Sequence, residues 1–256
     1  MIQSPSEIAK SNVPPVLEPV TIVGGGRVGC FFAAIANATP VTRHHGALQA
    51  KGPILVCVRN NDLEGVILST PLDRRKDLIF IQNGMIGSLL QNHGLDKATR
   101  GILYFAIEEK GGKIVDGGGS VFCGDYAPWL VSLLQGASVD ANVVVRDRFT
   151  REMGRKLIWN SVFGVLGEVY QINVAQTLDS HRDEFRALVA ELKGVFESST
   201  KIALGDDLEQ ALTDYAAKVS HYRCRASEWG WRNGWFLDKN PTPLHSQLSL
   251  KIGKAF

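Results

Sequence analysis

Val20-Thr21-Ile22-Val23-Gly24-Gly25-Gly26-Arg27-Val28-Gly29 is the stretch that decides the fold. Its first four residues are all β-branched and predict a strand. The apolar segment that follows, Cys30-Phe31-Phe32-Ala33-Ala34-Ile35-Ala36, has the length and character of a helix. Glycines at the first, third and sixth positions between a strand and a helix are the context that a dinucleotide fingerprint requires. In that reading Gly24 permits the tight turn, Gly26 lets a pyrophosphate approach the backbone, and Gly29 lets the helix lie close on the strand. Arg27 and Val28 open the helix, whose free N–H groups and positive dipole end face the phosphates. The competing reading is a glycine-rich turn that binds nothing.

About twenty residues past the first glycine, an NAD-specific fold places Asp or Glu at the end of its second strand. Here Pro40-Val41-Thr42 runs into Arg43-His44-His45. A cation suits the 2′-phosphate of NADP, so NADP is the expected cofactor and Arg43 its ligand; a solvated basic turn is the plain alternative. Only 24 residues, Cys30 to Pro53, precede the next apolar strand, so the Rossmann sheet is expected to be shortened. Ile54-Leu55-Val56-Cys57-Val58 ends in Arg59, and Asp77-Leu78-Ile79-Phe80-Ile81 ends in Gln82-Asn83-Gly84-Met85. Polar side chains at the carboxyl ends of parallel strands face the ligand crevice, which makes Arg59 and Asn83 candidates. Asn83-Gly84 is equally a turn signal. Further strands are expected at Gly101 to Ile107, Ser120 to Cys123 and Val143 to Val145, with helices at Leu63 to Leu68 and Tyr126 to Leu134.

The remainder of the 256-residue chain sets limits on function. Apolar residues make up 45% and charged residues 21%, an ordinary globular composition, and the length favours two domains. Net charge is +2, with 13 basic and 13 acidic residues up to Asp147 and 15 against 13 from Arg148 onward. Neither half is basic enough for a nucleic-acid or membrane partner. Cys30, Cys57, Cys123 and Cys224 lack CxxC spacing, so buried free thiols in a reducing compartment are expected, with no metal site. Without a signal segment or a long apolar run, the reading is cytoplasmic. The expected organisation is an irregular lead-in at 1–18, an NADP-binding Rossmann-like domain at 19–147 and an all-α domain at 148–256.

In that second half, Glu152-Met153-Gly154-Arg155-Lys156-Leu157-Ile158-Trp159-Asn160 predicts a helix with Lys156 and Asn160 on one face. Met153, Leu157 and Phe163 run beside them as an apolar stripe. Lys156, at the margin of that stripe, is then either a snorkelling surface lysine or a catalytic ammonium able to reach a small polar molecule. Trp229, Trp231 and Trp235 fall within seven residues. With the charge balanced, they fit the packing of a cleft better than a platform for bases.

Together these pieces resemble the ketopantoate reductases (2-dehydropantoate 2-reductases) from about Val20 to Ile252. The matching residues are the glycine fingerprint, the strand ending in Arg59, Ile81 to Met85, Arg155-Lys156-Leu157-Ile158-Trp159-Asn160, and Ser227-Glu228-Trp229-Gly230-Trp231-Arg232-Asn233-Gly234. The resemblance implies NADPH-dependent reduction of a 2-oxo acid, 2-dehydropantoate to pantoate, as in pantothenate biosynthesis, with the active site between the two domains. It makes Lys156 the catalytic lysine, Asn160 a substrate ligand one turn later, and Glu228 the acid that contacts both substrate and lysine. Asn83 falls beside the nicotinamide, Arg43 at the adenosine phosphate, and Arg59 where a lysine is usual. Ser220 and Ser227 are candidates for the serine at the substrate carboxylate, neither at the expected spacing. Gly164 stands where another asparagine usually follows Asn160. A small 2-oxo acid is therefore the expected partner, and a homodimer is compatible. The alternatives are a reductase of another 2-oxo or 3-hydroxy acid and a non-catalytic NADP-binding protein of the same fold.

Overall fold

A computed structural model describes residues 19–41, 51–107 and 109–254. The expected lead-in and Arg43 lie outside the described residues. The first half runs β1 (Thr21–Val23), α1 (Arg27–Ile35), β2 (Ile54–Val56), α2 (Leu63–Ser69), β3 (Leu78–Phe80), α3 (Gly87–Asn92), β4 (Thr99–Ile102), β5 (Phe105–Ile107), β6 (Ile114–Asp116), β7 (Ser120–Cys123), α4 (Ala127–Gly136) and β8 (Ala141–Val143). Six strands form one sheet in the order β1-β2-β3-β4-β7-β8. Its pairs are parallel except β4 with β7. Helices follow: α5 (Arg146–Tyr170), α6 (Val174–Ser180), α7 (Arg182–Thr200), α8 (Leu208–Lys218), α9 (Asn233–Lys239) and α10 (Pro243–Lys251). The chain is thus α/β, a Rossmann-like sheet followed by an all-α region.

The strands of β1 to β3 are buried along their whole length, as expected of a parallel sheet covered on both faces. Alternation divides their side chains between two cores. Ile22, Leu55 and Ile79 pack with Phe32 and Ala33 of α1 and with Leu130 of α4. Val23, Ile54, Val56, Leu78 and Phe80 pack with Leu63, Val66 and Ile67 of α2.

Several expected boundaries shift. The strand anticipated at Pro40 to Thr42 is, among the described residues, a single bridge of Val41 to Val23. The expected strand from Gly101 to Ile107 is two, because Tyr104 leaves the sheet: its N–H donates to Ser120 Oγ and its carbonyl accepts from Gly117. β5 then pairs with β6 in a separate ribbon. The last strand ends at Val143 instead of Val145, which is exposed ahead of α5.

α5 has 25 residues, about 37 Å of helix at the usual rise. It is buried on most sides, which is why its apolar residues form no single stripe. Gly154 gives room to Phe196 of α7, while Gly164 and Gly167 lie under the backbone of Cys224 to Ala226. The 224–226 segment is tied down further by the Ala226 N–H, which donates to Glu168 Oε2 at 2.8 Å.

At the far end of this core, His245 is 1% exposed and its Nε2 lies 2.8 Å from Asn233 Oδ1. Burial lowers its pKa from 6.5 to about 4, although Glu191 opposes the shift. The ring is therefore neutral when folded and binds a proton more readily when unfolded. Stability is fully present above pH 6.5 and is lost as pH falls from there towards 4, by up to about 3 kcal/mol. Urea denaturation at the two ends of that window should show a smaller acid-induced loss in His245→Gln than in the wild type.

Candidate active site

The carboxyl ends of β1, β2 and β3 lie side by side, with Val23, Val56 and Phe80 in register. The fingerprint emerges from the first of them. Gly24 has φ +109, and a Cβ there would lie 2.6 Å from the Cys57 carbonyl oxygen, so the turn excludes any side chain. A Cβ on Gly29 would overlap the Gly24 carbonyl oxygen, which is how α1 comes to lie so close to β1. A Cβ on Gly26 would meet nothing within 4 Å. Neither the fold nor the backbone of Gly26 (φ −75, ψ −173) demands a glycine, so the open side of this loop is where a phosphate would use it. The residues present therefore fit a dinucleotide. Val28 is half-buried against the α1 core, and Arg27 Nη1 donates to the Ile107 carbonyl at 2.9 Å. Arg59 is exposed just past β2.

Beside this loop, Gln82 bridges strand ends by donating to the Val56 and Val58 carbonyls, and Asn60, 2% exposed, donates its side chain to the Asn83 carbonyl at 2.7 Å. The Asn60 N–H donates to Glu228 Oε2 at 3.3 Å. Gly84, with φ +103, lies against the Trp231 carbonyl, which accepts the Met85 N–H at 2.8 Å. Trp231 Nε1 donates to Asn61 Oδ1 at 2.6 Å. The segment Glu228 to Trp231 is thus clamped onto the ends of β2 and β3, and the tryptophans serve as packing.

Lys156 is 5% exposed, not snorkelling. Its Nζ lies 3.9 Å from the ring centre of Tyr215, 4.7 Å from Trp159 and 4.8 Å from Tyr104. Burial pushes its pKa well below the ordinary lysine value; the Arg232 charge lowers it further and Cys224 opposes. Cys224 is itself pushed up to about 12 by burial, with the Lys156 and Arg232 charges pulling the other way. One turn along α5, Asn160 Nδ2 is buried with no hydrogen-bond partner among the described residues, and so is Asn83 Oδ1. Buried polar groups are nearly always satisfied by protein, ordered water or a ligand, so each of these two atoms is open to such a partner.

Three expectations need correction. Among the described residues no hydrogen bond or ion pair joins Glu228 to Lys156; a Glu228 carboxylate oxygen accepts the Asn60 N–H instead. Glu228 sits in a left-handed turn, φ +54, before the short 3-10 turn Trp229–Trp231. Ser220 follows α8, where its carbonyl accepts the Ala175 N–H; it is Ser227 that joins the Glu228 group, accepting from Arg232 Nη1 at 3.2 Å. Of the four cysteines, Cys123 and Cys224 are buried and Cys30 and Cys57 only partly so, and all are free thiols.

Asn60 and Arg232 are the residues that the sequence reading missed. Asn60 hides in the polar run Arg59 to Asp62. Arg232 could have been noticed as the one charged residue between Trp229 and Phe236. Gly164 gains a physical reason: a Cβ there would lie 3.0 Å from the Arg225 carbonyl oxygen. Gly164→Asn should lower stability by about 1–3 kcal/mol through overpacking, measured by urea denaturation.

The fold and this arrangement define a Rossmann-like sheet joined to a helical region. No protein-family profile matches the sequence, and no protein of curated function does. Solved structures do match. A ketopantoate reductase from Ralstonia eutropha JMP134 is similar with a TM-score of 0.68 at 19% identity, covering 92% of this chain and 98% of that one. D-mandelate dehydrogenase with NADH and anilino(oxo)acetate gives 0.70 at 13% identity, covering 91% and 97%. A dimeric ketopantoate reductase from Staphylococcus aureus gives 0.66 at 16%, covering 91% and 98%. At such identities the likeness establishes the fold. No helix among the described residues is long and apolar enough to cross a membrane.

Proposed function

We propose that this protein is an NADPH-dependent reductase of a small 2-oxo acid, with 2-dehydropantoate the first substrate to try. The observation that carries the reading is the buried Lys156 one turn from Asn160, whose Nδ2 lacks a partner, as does Asn83 Oδ1 beside the nucleotide-binding strand ends. NADPH would be held by Gly24, Gly26, Gly29 and the start of α1, and would supply the hydride when bound. Lys156 donates the proton that the carbonyl oxygen needs as it becomes an alkoxide. Its lowered pKa makes that proton easier to release than from an ordinary lysine. Asn160 orients the substrate through Nδ2. Glu228 fixes the Asn60 turn and so positions Asn83.

The preference for NADPH over the NADH seen in the mandelate dehydrogenase structure rests on Arg43 and on Arg59 at the end of β2. A homodimer is the assembly we would look for first, as in the Staphylococcus aureus neighbour. Oxidation of NADPH and of NADH, followed optically with a panel of 2-oxo acids, tests the reading; faster turnover with NADPH and one preferred acid is the expected result. A second reading, a non-catalytic NADP-binding protein, is favoured by the enclosure of Lys156 among three rings. Tight NADPH binding with no acid turned over would establish it.

A further inference from the structure

Arg232 has no part in the mechanism above, yet its surroundings are those of a ligand-binding guanidinium. It stands at the junction between the 3-10 turn and α9, with φ −127 and ψ −99, its N–H donating to the Trp229 carbonyl at 3.0 Å. That bond fixes where the side chain starts. At the other end Nη1 donates to Ser227 Oγ at 3.2 Å, while Nε is buried and meets no acceptor among the described residues. The Glu228 carboxylate acts on Arg232 through its charge, but no hydrogen bond or ion pair joins the two among the described residues. Holding a guanidinium with one nitrogen bonded and the adjoining Nε–Nη2 edge directed elsewhere leaves a planar pair of donors, the geometry that matches both oxygens of a carboxylate.

The position suits a substrate contact. Trp231, the residue before, is bonded through its carbonyl to Met85, two residues past Asn83. The Arg232 charge also registers at both Lys156 and Cys224. Two cations therefore lie within electrostatic reach of one another, and the neighbouring Glu228 carboxylate is bonded through Oε2 to the Asn60 N–H. A 2-oxo acid has its carboxylate on the carbon next to the carbonyl, so one cation can hold the carboxylate while the other serves the carbonyl oxygen.

We propose that Arg232 is the residue that binds the substrate carboxylate, gripping it through the Nε–Nη2 edge and taking the role that the resemblance gives to a serine. This rests on the 2-oxo acid reading and deepens it. Ser227 acts through Arg232, holding the fork in place. Specificity then favours free acids over their esters, since an ester offers neither the charge nor two equivalent oxygens.

The test compares the wild type, Arg232→Met and Arg232→Lys, each first shown to bind NADPH and to melt cooperatively. With 2-oxoisovalerate, Arg232→Met should raise KM about 10- to 100-fold with a smaller change in kcat, the range for losing hydrogen bonds to a charged group. With ethyl 2-oxoisovalerate, KM should be unchanged. A merely structural arginine would affect acid and ester alike, and that outcome overturns the proposal. Arg232→Lys keeps the charge without the fork, so an intermediate loss for the acid is expected, and it serves if the methionine variant does not fold. Oxalate titrated calorimetrically into the NADP-loaded proteins separates this proposal from the reading beneath it. If the wild type reduces no 2-oxo acid, the reductase reading fails, yet oxalate bound about 10- to 100-fold more weakly by Arg232→Met still supports the carboxylate site. Equal oxalate affinity in the wild type and Arg232→Met rejects it.

Discussion

Lys156→Met is expected to lower turnover of the preferred 2-oxo acid by about 10²- to 10⁴-fold, the usual loss for a general acid, and at the same time to make the protein more stable at neutral pH. The two effects have one origin. Lys156 is 5% exposed, and taking a cation out of water costs several kcal/mol. The faces of Tyr215, Trp159 and Tyr104 return part of that, on the order of 2 kcal/mol for a desolvated cation–π contact. Against several kcal/mol of desolvation that return is partial, and burial separately holds the pKa below the lysine value of 10.5. With the folded-state pKa depressed, the penalty is present at neutral pH and is relieved as pH rises towards 10.5. Methionine fills a similar volume without the charge, so unfolding free energy should rise by about 1–3 kcal/mol. Urea denaturation and NADPH oxidation on the same preparation check both halves. A variant less stable than the wild type would mean that the aromatic cage is a structural cation site.

A second large effect is expected from a single methyl group at the fingerprint. Gly26→Ala should weaken NADPH binding by about 100-fold or more while leaving stability within about 0.5 kcal/mol, because a Cβ at Gly26 meets no atom of the described residues within 4 Å. Its backbone is extended and open to alanine. Gly29→Ala should behave differently. Its Cβ would overlap the Gly24 carbonyl oxygen, so α1 must shift away from β1, and both stability and binding should fall. Fluorescence titration with NADPH and thermal melting of the two variants distinguish ligand crowding from fold damage. Loss of both properties in Gly26→Ala would show that this glycine serves the fold instead of the nucleotide.

The contrast between these glycines shows what was legible in the chain. Strand, fingerprint and helix are local patterns, and they folded as local patterns do; of the stretch between Cys30 and Pro53 the described residues show one bridge, Val41 to Val23, beside β1. Lys156 and Asn160 could be placed on one helix face because their spacing is set by that helix alone. What surrounds them could not. Tyr104 and Tyr215 reach Lys156 from segments far away in the sequence, and Glu228 is turned towards Asn60 by a left-handed residue that no periodicity marks. Gly164 read as a missing side chain, whereas a Cβ there would press on the Arg225 carbonyl oxygen at 3.0 Å. The boundary of β4 failed for a similar reason, since Tyr104 is drawn off the sheet by Ser120 and Gly117.

The central claim, that a buried Lys156 ammonium delivers the proton in reduction of a 2-oxo acid, is tested most directly by the pH dependence of kcat/KM. A general acid must be protonated to act, so in the wild type kcat/KM should fall on the alkaline side with an apparent pKa below 10.5, the lysine value from which burial displaces Lys156. In Lys156→Met the residual activity should lose that limb. An unchanged alkaline limb in the variant, with turnover undiminished, would contradict the account.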